Sequence, residues 1–538
     1  MGNKIRDKIK TSQGALVVFT SFVIYVVIWS SIVITRLDTL NALWADLGIA
    51  MERGWLIYHN NWGLTGYLYI LFNSGILFIT FPITFPQNYA IILIFQTVMI
   101  GGAVFPIYKI SKYLLNEGVL PIIFAILYLV YFPISGINWY DFHYQSLFPI
   151  LFLSGYYFYL KEQRIMSLIF LTLSSMVKFP YAMFSLLFAL IILLEIFQKR
   201  SKDYKIDLKR LSYPCILILI SSFLLIGAYF VNGNLGYVEA TVGFSGNATI
   251  TTNLVDKVYT ILLIFLPLLF LPLLSKKFFI LYMPYFALVL YIGGYGKIFP
   301  TAFHYQYTSM IVPFVFLGLI DFFHNLKKRE WKTFKALRKK ISYSSLRYVL
   351  SIFVVLITIF TAALFEPYGP LNHYNFDNFN DFGHYDYNSK RTAINYLDQV
   401  ISLIPKNNNS VLTQFNIPEI YPREPVINTF PNEIYMLVAG HSALAQVNNL
   451  TLSNVKNNTY NVIVFQDHRY TSTNISIYYA LGDYNSPWYY TNNPSMEDFI
   501  NLMNASKEYG MVANYHGFIL LEWHYNGPIK LGNSTSKY

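Results

Sequence analysis

Charged residues are scarce in this chain, and their scarcity excludes most soluble architectures. Only 12% of the 538 residues are Asp, Glu, Lys or Arg, whereas 55% are hydrophobic. So few charges cannot cover the surface of one or more soluble domains. Because the apolar residues fall into long runs, the sequence predicts an α-helical polytopic membrane protein.

The chain has a single cysteine and lacks the common enzyme motifs. Cys215 is the single cysteine, so an intramolecular disulfide and a cysteine metal cluster are excluded. The chain contains no P-loop, G-x-G-x-x-G, H-E-x-x-H or G-x-S-x-G motif, and no pair of histidines at i, i+4 with a third ligand. We therefore predict neither a metal site nor a cofactor.

The net charge of +11 has a topological meaning here. In a soluble protein it would favour nucleic acid, but the basic residues lie in short clusters between apolar runs, which is the positive-inside pattern. We therefore expect membrane lipids and no nucleic acid as partners. The N-terminal "MGNKIRDKIK" precedes an apolar stretch longer than a signal-peptide core, which predicts a retained signal anchor.

The basic clusters predict about eleven crossings of the cell membrane, with a cytoplasmic N-terminus and an external C-terminus. The predicted crossings are 14–35, 88–108, 118–136, 144–160, 165–177, 180–197, 213–230, 258–275, 278–293, 305–323 and 348–365. Segment 64–84 does not fit this alternation and is interpreted as juxtamembrane or re-entrant, with an ordinary crossing as the alternative. It belongs to a first external loop over 36–87.

The composition changes after residue 365, where apolar runs shorten and Asn and Asp increase. The sequence predicts a transmembrane domain over 1–365, a linker over 366–390 and an extracytoplasmic α/β domain over 391–538. "SKRTAINYLDQVISLIP" has helical periodicity, while "NVIVFQDHRY" and "GFILLEWHY" alternate like strands. Seven N-x-[ST] sequons, all on the predicted external side, are candidate glycosylation sites: Asn247, Asn408, Asn449, Asn457, Asn474, Asn504 and Asn533.

The tetrapeptide FHYQ occurs twice, over 142–145 and 303–306, and each copy opens an apolar run. The predicted topology places both copies at the external mouth of an inward-running helix. Asp141 precedes the first copy. Ionisable residues at membrane depth usually face a bundle interior or a water-filled cavity, which makes this a candidate site. The alternative is that His143 and His304 are interfacial side chains in the headgroup belt.

Two further segments send ionisable groups to the same predicted face. The first external loop carries Asp38, Asp46, Glu52 and Arg53, and Lys178 follows a short helix far from the basic clusters. The alternative is that the loop residues are solvated surface charges and that Lys178 snorkels to the outer interface.

Several motifs, in order, resemble a family of archaeal and bacterial polytopic membrane proteins known as a domain of unknown function. They are "WADLGIAMERGW", "FPITFPQNYAIILIFQTVMIGGAVFPIYKISKYLL", "DFHYQSLFPILF", "HYQYTSMIVPF" and "SVLTQFNIPEIYPREPVINTFP". That family in turn resembles the GT-C glycosyltransferases, membrane enzymes that take sugars from polyprenyl-phosphate carriers on the external side.

The resemblance implies residue roles. It implies that Asp46 of the D-L-G is catalytic, with Asp38 second, and it maps the D-F-H motif to Asp141, Phe142 and His143. It maps a His-Tyr pair late in the family's sequence to His304 and Tyr305. Where relatives tend to have K-E-D, this chain has "KFP" from Lys178. The loss of both acids implies that they are dispensable or that activity is lost or altered.

These roles predict transfer of a sugar from a polyprenyl phosphate to an acceptor hydroxyl, with an acid as general base. Lys178 and Arg36 or Arg53 would offset the leaving phosphate without a metal. The two histidines, with Gln145 and Gln306, would bind sugar hydroxyls or phosphate. Two other functions stay open: a non-catalytic scaffold or lipid-binding protein with a glycosylated external domain, and a transporter or flippase.

Overall fold

The computed structural model shows a predominantly helical chain with a small C-terminal sheet. It describes residues 2–38, 45–58, 63–84, 88–115, 119–139, 141–200, 208–231, 254–291, 306–327, 343–366, 369–371, 393–404, 410–414, 426–430, 462–466, 509–516, 518–523 and 525–532. The seven sequons, His304 and most of the predicted linker lie outside the described residues.

The α-helices follow the apolar runs. In chain order they are α1 Gly2–Asp38, α2 Ala45–Tyr58, α3 Leu64–Ser74, α4 Leu77–Thr84, α5 Tyr89–Gly102, α6 Val104–Leu115, α7 Leu120–Leu129, α8 Ser135–Trp139, α9 Phe148–Leu160, α10 Arg164–Ser175, α11 Ala182–Arg200, α12 Leu208–Val231, α13 Leu254–Phe265, α14 Met283–Tyr291, α15 Val312–Lys327, α16 Tyr343–Phe365 and α17 Ala393–Ile401. Both α7 and α9 have a proline in the first two positions, where its missing N–H breaks no helical hydrogen bond.

Five helical stretches of the described residues are long and apolar enough to cross a membrane. They are Gln13–Leu37, Tyr89–Leu115, Phe179–Gln198, Arg210–Val231 and Ser345–Phe365. Two bent pairs raise the number to seven if each is one span. The protein is therefore a polytopic membrane protein, whereas the predicted number of eleven crossings stays a prediction. Four more apolar helices of the described residues, of 10–17 residues each, overlap predicted crossings.

Three segments depart from an uninterrupted crossing. In the predicted crossing 118–136, Leu120–Leu129 and Phe132–Trp139 are bent by 48° at a break. Residues 64–84 form α3 and α4, which are bent by 100° at a break where Ile76 N donates to the Met176 carbonyl at 3.0 Å. Such a bend fits a broken span or a re-entrant loop. Segment 258–275, predicted as one crossing, is not one helix, because α13 ends at Phe265 and 3-10 turns follow. Two prolines in these turns lack the N–H that a helix needs, and Leu269 and Phe270 adopt positive φ angles of 54° and 57°.

The described chain divides into two compact units. The first comprises 1–30, 62–80 and 94–385. Its interior is packed with aromatic rings: Phe148 lies 4.7 Å from Tyr181 and 5.4 Å from Phe184, between ring centroids, and Phe314 lies 5.0 Å from Phe184. These ring pairs, one edge-on, one tilted and one stacked, stabilise a core beyond the area they bury.

The second unit comprises 31–61, 81–93 and 386–538. Its sheet has six strands: β1 Ser410–Gln414, β2 Val426–Phe430, β3 Val462–Gln466, β4 Tyr509–Tyr515, β5 Phe518–Trp523 and β6 Leu531–Gly532. The strand order is β2-β1-β3-β5-β4-β6, with β1 parallel to β2 and β3, and β5 antiparallel to β3 and β4. Leu397 and Val400 of α17 are buried, and this helix packs on β5. Strands β3 and β5 lie in the two segments whose alternation predicts strands.

Candidate functional site

Basic side chains from separate turns gather at one end of the first unit. Lys161, after α9, lies over the ring of Tyr113 near the end of α6, at 4.3 Å from its centroid. Lys277 forms an ion pair of 2.9 Å with Glu195 near the end of α11 and lies 5.9 Å from the ring of Tyr156 in α9. We call this the basic end of the bundle.

The first FHYQ copy and Gln306, the described residue of the second copy, lie at the other end of the helices that follow them. The first leads into a 3-10 turn, Tyr144–Leu147, from which α9 runs to Lys161. The second ends in the 3-10 turn Gln306–Met310, from which α15 runs to Lys327. The two turns contact one another. Gln145 of the first copy and Gln306 of the second, 161 positions apart in the sequence, therefore lie in two turns that contact one another, opposite the basic end.

Gln96 of α5 holds the chain that enters the first copy. Its side chain is fully buried; Nε2 donates to the Asp141 carbonyl at 2.8 Å, and Oε1 accepts from the His143 backbone N–H at 2.8 Å. The Gln96 amide thus provides the hydrogen bonds that a neighbouring backbone would provide in a regular helix or sheet. The Asp141 carboxylate accepts the N–H of Phe142 at 2.5 Å. The D-F-H segment thus has a fixed shape, set by α5.

The next residue of α5 holds α8 in the same way. The hydroxyl of Thr97 donates to Asn138 Oδ1 at 3.0 Å, and both residues are buried. From the second FHYQ turn, Thr308 donates to the carbonyl of Pro133 at 2.6 Å. The short helix α8 is therefore fixed from two sides.

An acid that terminates the last span reaches the other end of α8. Glu366 follows α16 directly, and its Oε1 accepts from the Ser135 hydroxyl at 2.5 Å. Both residues are buried, with exposures of 2% and 1%. Burial raises the pKa of Glu366 to about 8, while the Ser135 hydrogen bond opposes that rise.

These side chains form what we call the polar cluster. Its members are buried and lie on or against α8 and the two FHYQ turns: Gln96, Thr97, Ser135, Asn138, Asp141, His143, Gln145, Gln306, Thr308, Ser309 and Glu366. Ser309 also shares a hydrogen bond of 2.6 Å with the hydroxyl of Tyr181. Burying eleven polar residues at one end of an apolar bundle costs free energy, which makes the cluster a candidate functional site.

Three atoms of the polar cluster lack hydrogen-bond partners among the described residues. They are Gln306 Oε1, Asn138 Nδ2 and Glu366 Oε2, and each is buried. A buried polar atom without a partner costs about 1–3 kcal/mol, and such atoms are rare in native proteins. One donor and two carboxyl or amide oxygens at one place provide binding capacity for a polar ligand.

The predicted site residues are thus only partly brought together. Asp141, His143, Gln145 and Gln306 lie in the polar cluster, whereas His304 lies outside the described residues. Lys178 is half-buried, and its carbonyl accepts the N–H of Tyr181 at 2.9 Å, so it begins the turn that reaches Ser309.

The candidate residues of the first external loop belong to the second unit. Asp38 ends α1 and Asp46 lies at the start of α2, but their side chains lie outside the description. Arg53 of α2 is half-buried, and Arg36 of α1 is buried, with 7% exposure. In the described part of the chain, no three His, Cys, Asp or Glu residues are placed to hold a metal ion.

Sequence reasoning missed the residues that organise the polar cluster. Gln96 and Thr97 stand as a polar pair within the apolar run of α5, and Glu366 is a lone acid after the last apolar run. Both are recognisable signals, since polar residues at membrane depth are rare and expensive. The partners of these residues, 41 to 231 positions away, cannot be read from local pattern.

The comparisons with known proteins support the membrane assignment. The family model described as "Predicted membrane protein (DUF2079)" matches residues 72–519, more than half of the chain. The chain belongs to this family. No match was found among curated proteins.

Proposed function

We propose that this member of the family of predicted membrane proteins is a glycosyltransferase that takes a sugar from a polyprenyl-phosphate carrier on the external face of the membrane. The observation that carries the proposal is the polar cluster, with its three unpartnered buried atoms opposite the basic end. The positive-inside rule puts the basic end in the cytoplasm and the cluster outside. The same orientation puts the C-terminal domain and the sequons outside.

The chemistry is a displacement at the anomeric carbon. The acceptor hydroxyl oxygen bonds to that carbon, the bond from the carbon to the phosphate oxygen breaks, and polyprenyl phosphate leaves with the electron pair. The acceptor's proton passes to a carboxylate acting as general base, which we assign to Asp46, with Asp38 second. Lys178 stabilises the negative charge of the phosphate without a metal.

The polar cluster supplies the binding part of this function. An amide oxygen at Gln306 and an amide N–H at Asn138 match the hydroxyls and oxygens of a sugar phosphate. Gln96 keeps the D-F-H segment rigid, which lowers the entropic cost of binding a ligand there. His143 in this segment, Gln145 in the turn that follows it, and His304 complete the proposed contacts.

The test is a transfer assay with the full chain in lipid nanodiscs and a panel of polyprenyl-phosphate sugars. Asp46→Asn should retain lipid binding and lose about a hundredfold or more in rate, because it removes the base. Asp398→Asn, an exposed carboxyl of α17, is the matched control and should change nothing. Absence of product from wild-type protein that binds these lipids would refute the enzyme.

Lys178→Met separates binding from chemistry. It should weaken donor binding, because it removes a charge-assisted contact that already exists in the ground state. Lys161→Met, at the basic end, is its control. Equal loss in both variants would mean that general membrane electrostatics, and not a phosphate site, explains the effect of Lys178.

The rival functions give different outcomes in the same assays. A scaffold binds lipid or a surface partner and forms no glycosidic product. A flippase moves the lipid-linked sugar between leaflets without forming product. No described feature favours either over the transferase.

A further inference from the structure

Glu366 is the buried acid that the proposed mechanism does not use. Its carboxyl group is 2% exposed; Oε1 accepts from Ser135, and Oε2 is buried with no partner in the described ranges. An ionised carboxylate in this position would lose its hydration and recover one hydrogen bond. The group is therefore placed where the neutral acid is the favoured form.

The end of α16 favours the neutral form as well. Glu366 N donates to the Ala362 carbonyl at 2.9 Å, and the chain then turns so that Gly369 N donates to the Glu366 carbonyl at 2.8 Å. A helix C-terminus presents carbonyl oxygens and partial negative charge, which destabilises a nearby carboxylate. Burial and the helix end therefore act in the same direction on the Glu366 proton.

No charged side chain of the described residues compensates Glu366. The 3-10 turn 132–134 and the turn 266–268, which contact α16, and α8, which contacts Glu366 through Ser135, contain no ionisable residue. Tyr128 and Tyr131, from the α7 side, donate their hydroxyls to the carbonyls of Ile100 and Ile264. The remaining charged residues of the helices packed there lie toward the other ends of α15 and α16: Asp321, His324, Lys327 and Arg347.

Glu366 borders the same short helix as the D-F-H segment. Ser135, its hydrogen-bond partner, begins α8, and Asp141 follows the end of α8 by two residues. Five helical residues span about 7 Å. The helix α8 also contacts the turn that carries Gln306. The unpartnered oxygen of Glu366 thus belongs to the polar cluster and not to a separate pocket.

We propose that Glu366 binds the ligand as a neutral carboxylic acid, donating the proton on Oε2 to an anionic phosphate oxygen. This inference rests on the proposed function, since it names a contact of the same site. A protonated carboxyl group donates one hydrogen bond, and its other oxygen keeps the bond from Ser135. The ionised form donates nothing and repels the phosphate. No covalent bond changes; the proton stays on Glu366 while the ligand is bound.

The test measures binding of a short-chain polyprenyl monophosphate to the full chain in nanodiscs between pH 6.5 and 9.5. Since burial raises the pKa of Glu366 to about 8, wild-type affinity should fall above pH 8 by up to about tenfold per pH unit. Glu366→Gln keeps a neutral N–H donor, so its affinity should lie within about threefold of wild type at pH 6.5 and lose this fall. Glu366→Leu should bind weakly at every pH.

Two controls isolate the contribution of Glu366 and identify the source of the anion. The ionisation of the lipid phosphate is common to all variants, so only the difference between wild type and Glu366→Gln counts. Competition by inorganic phosphate separates the two sources of the anion: displacement of the lipid at millimolar phosphate would identify free phosphate, and its absence a lipid headgroup. A polyprenol without phosphate should bind weakly and without the Glu366-dependent fall above pH 8.

The inference is overturned if Glu366→Gln loses affinity with pH as wild type does, or if it fails to bind at pH 6.5 while remaining folded by size-exclusion chromatography. These outcomes are distinct from failure of the enzyme. Phosphate binding with the predicted pH dependence and no sugar transfer would remove the proposed function and leave the Glu366 contact. Sugar transfer with no Glu366-dependent fall would do the reverse.

Discussion

Replacement of Gln96 by Met should destabilise the first unit, because the Gln96 side chain forms hydrogen bonds with two buried backbone groups. Met retains the length and flexibility of Gln and provides neither a hydrogen-bond donor nor an acceptor of comparable strength. The Asp141 carbonyl and the His143 N–H, each 2.8 Å from Gln96, would then be left in the interior. The perturbation therefore acts on the D-F-H segment with little change in packing volume.

The magnitude follows from those two groups. An unsatisfied buried donor or acceptor costs about 1–3 kcal/mol, so the pair costs about 2–6 kcal/mol. Gln163→Met is the matched control, because Gln163 is exposed before α10 and makes no side-chain cap. An exposed change of this kind stays within about 0.5 kcal/mol.

The assay is the midpoint of thermal unfolding in nanodiscs, followed by tryptophan fluorescence. Gln96→Met should lower the midpoint by several degrees, and Gln163→Met should leave it unchanged. Gln96→Glu adds a second reading, because a protonated Glu keeps one donor and one acceptor and should approach wild type at acid pH. Equal midpoints for Gln96→Met and Gln163→Met would refute the view that Gln96 holds this segment.

Three further predictions concern stability and orientation. Burial raises the pKa of Glu366 from 4.5 to about 8, so between these pH values the folded state holds a proton that the unfolded state has lost, and stability falls as pH rises. The fall in thermal midpoint that Glu366 causes should be absent in Glu366→Gln. An unchanged fall would contradict the raised pKa of Glu366. Gly369→Ala should lower the thermal midpoint, because the added Cβ would collide with carbonyl oxygens of α16. Gly63→Ala is the control and should be neutral, because a Cβ at Gly63 meets no atom within 4 Å. Equal effects of the two variants would contradict this packing. In a cysteine-free background, Lys530→Cys should react with impermeant thiol reagents on intact cells and Lys161→Cys should not; the reverse result would invert the orientation.

Much of the architecture follows from local pattern. Apolar runs predict α1, α12 and α16, and alternation in "NVIVFQDHRY" and "GFILLEWHY" predicts β3 and β5, because periodicity reflects which face of an element is buried. The interruption after α13 was not predicted. Its prolines stand in a run as apolar as a span, and hydropathy does not register their missing N–H groups.

The candidate site was predictable only in outline. The repeated FHYQ motif indicates two polar entries to helices, and the structure places their turns in contact. Its organisation depends on pairs such as Ser135 and Glu366, which lie 231 positions apart. Such pairs arise from how helices pack, so one sequence without tertiary information cannot identify them. Gln96 is different, since a glutamine inside an apolar run is itself a signal.

The binding of a polyprenyl-phosphate sugar at the polar cluster is tested most directly by a cryo-EM structure of the protein with this ligand in nanodiscs. We expect phosphate or sugar density within hydrogen-bond distance of Gln306, Asn138 or Glu366, the residues whose atoms lack partners within the described ranges. Density for the headgroup at the basic end, beside Lys161 and Lys277, with the polar cluster closed to ligand, would contradict the account.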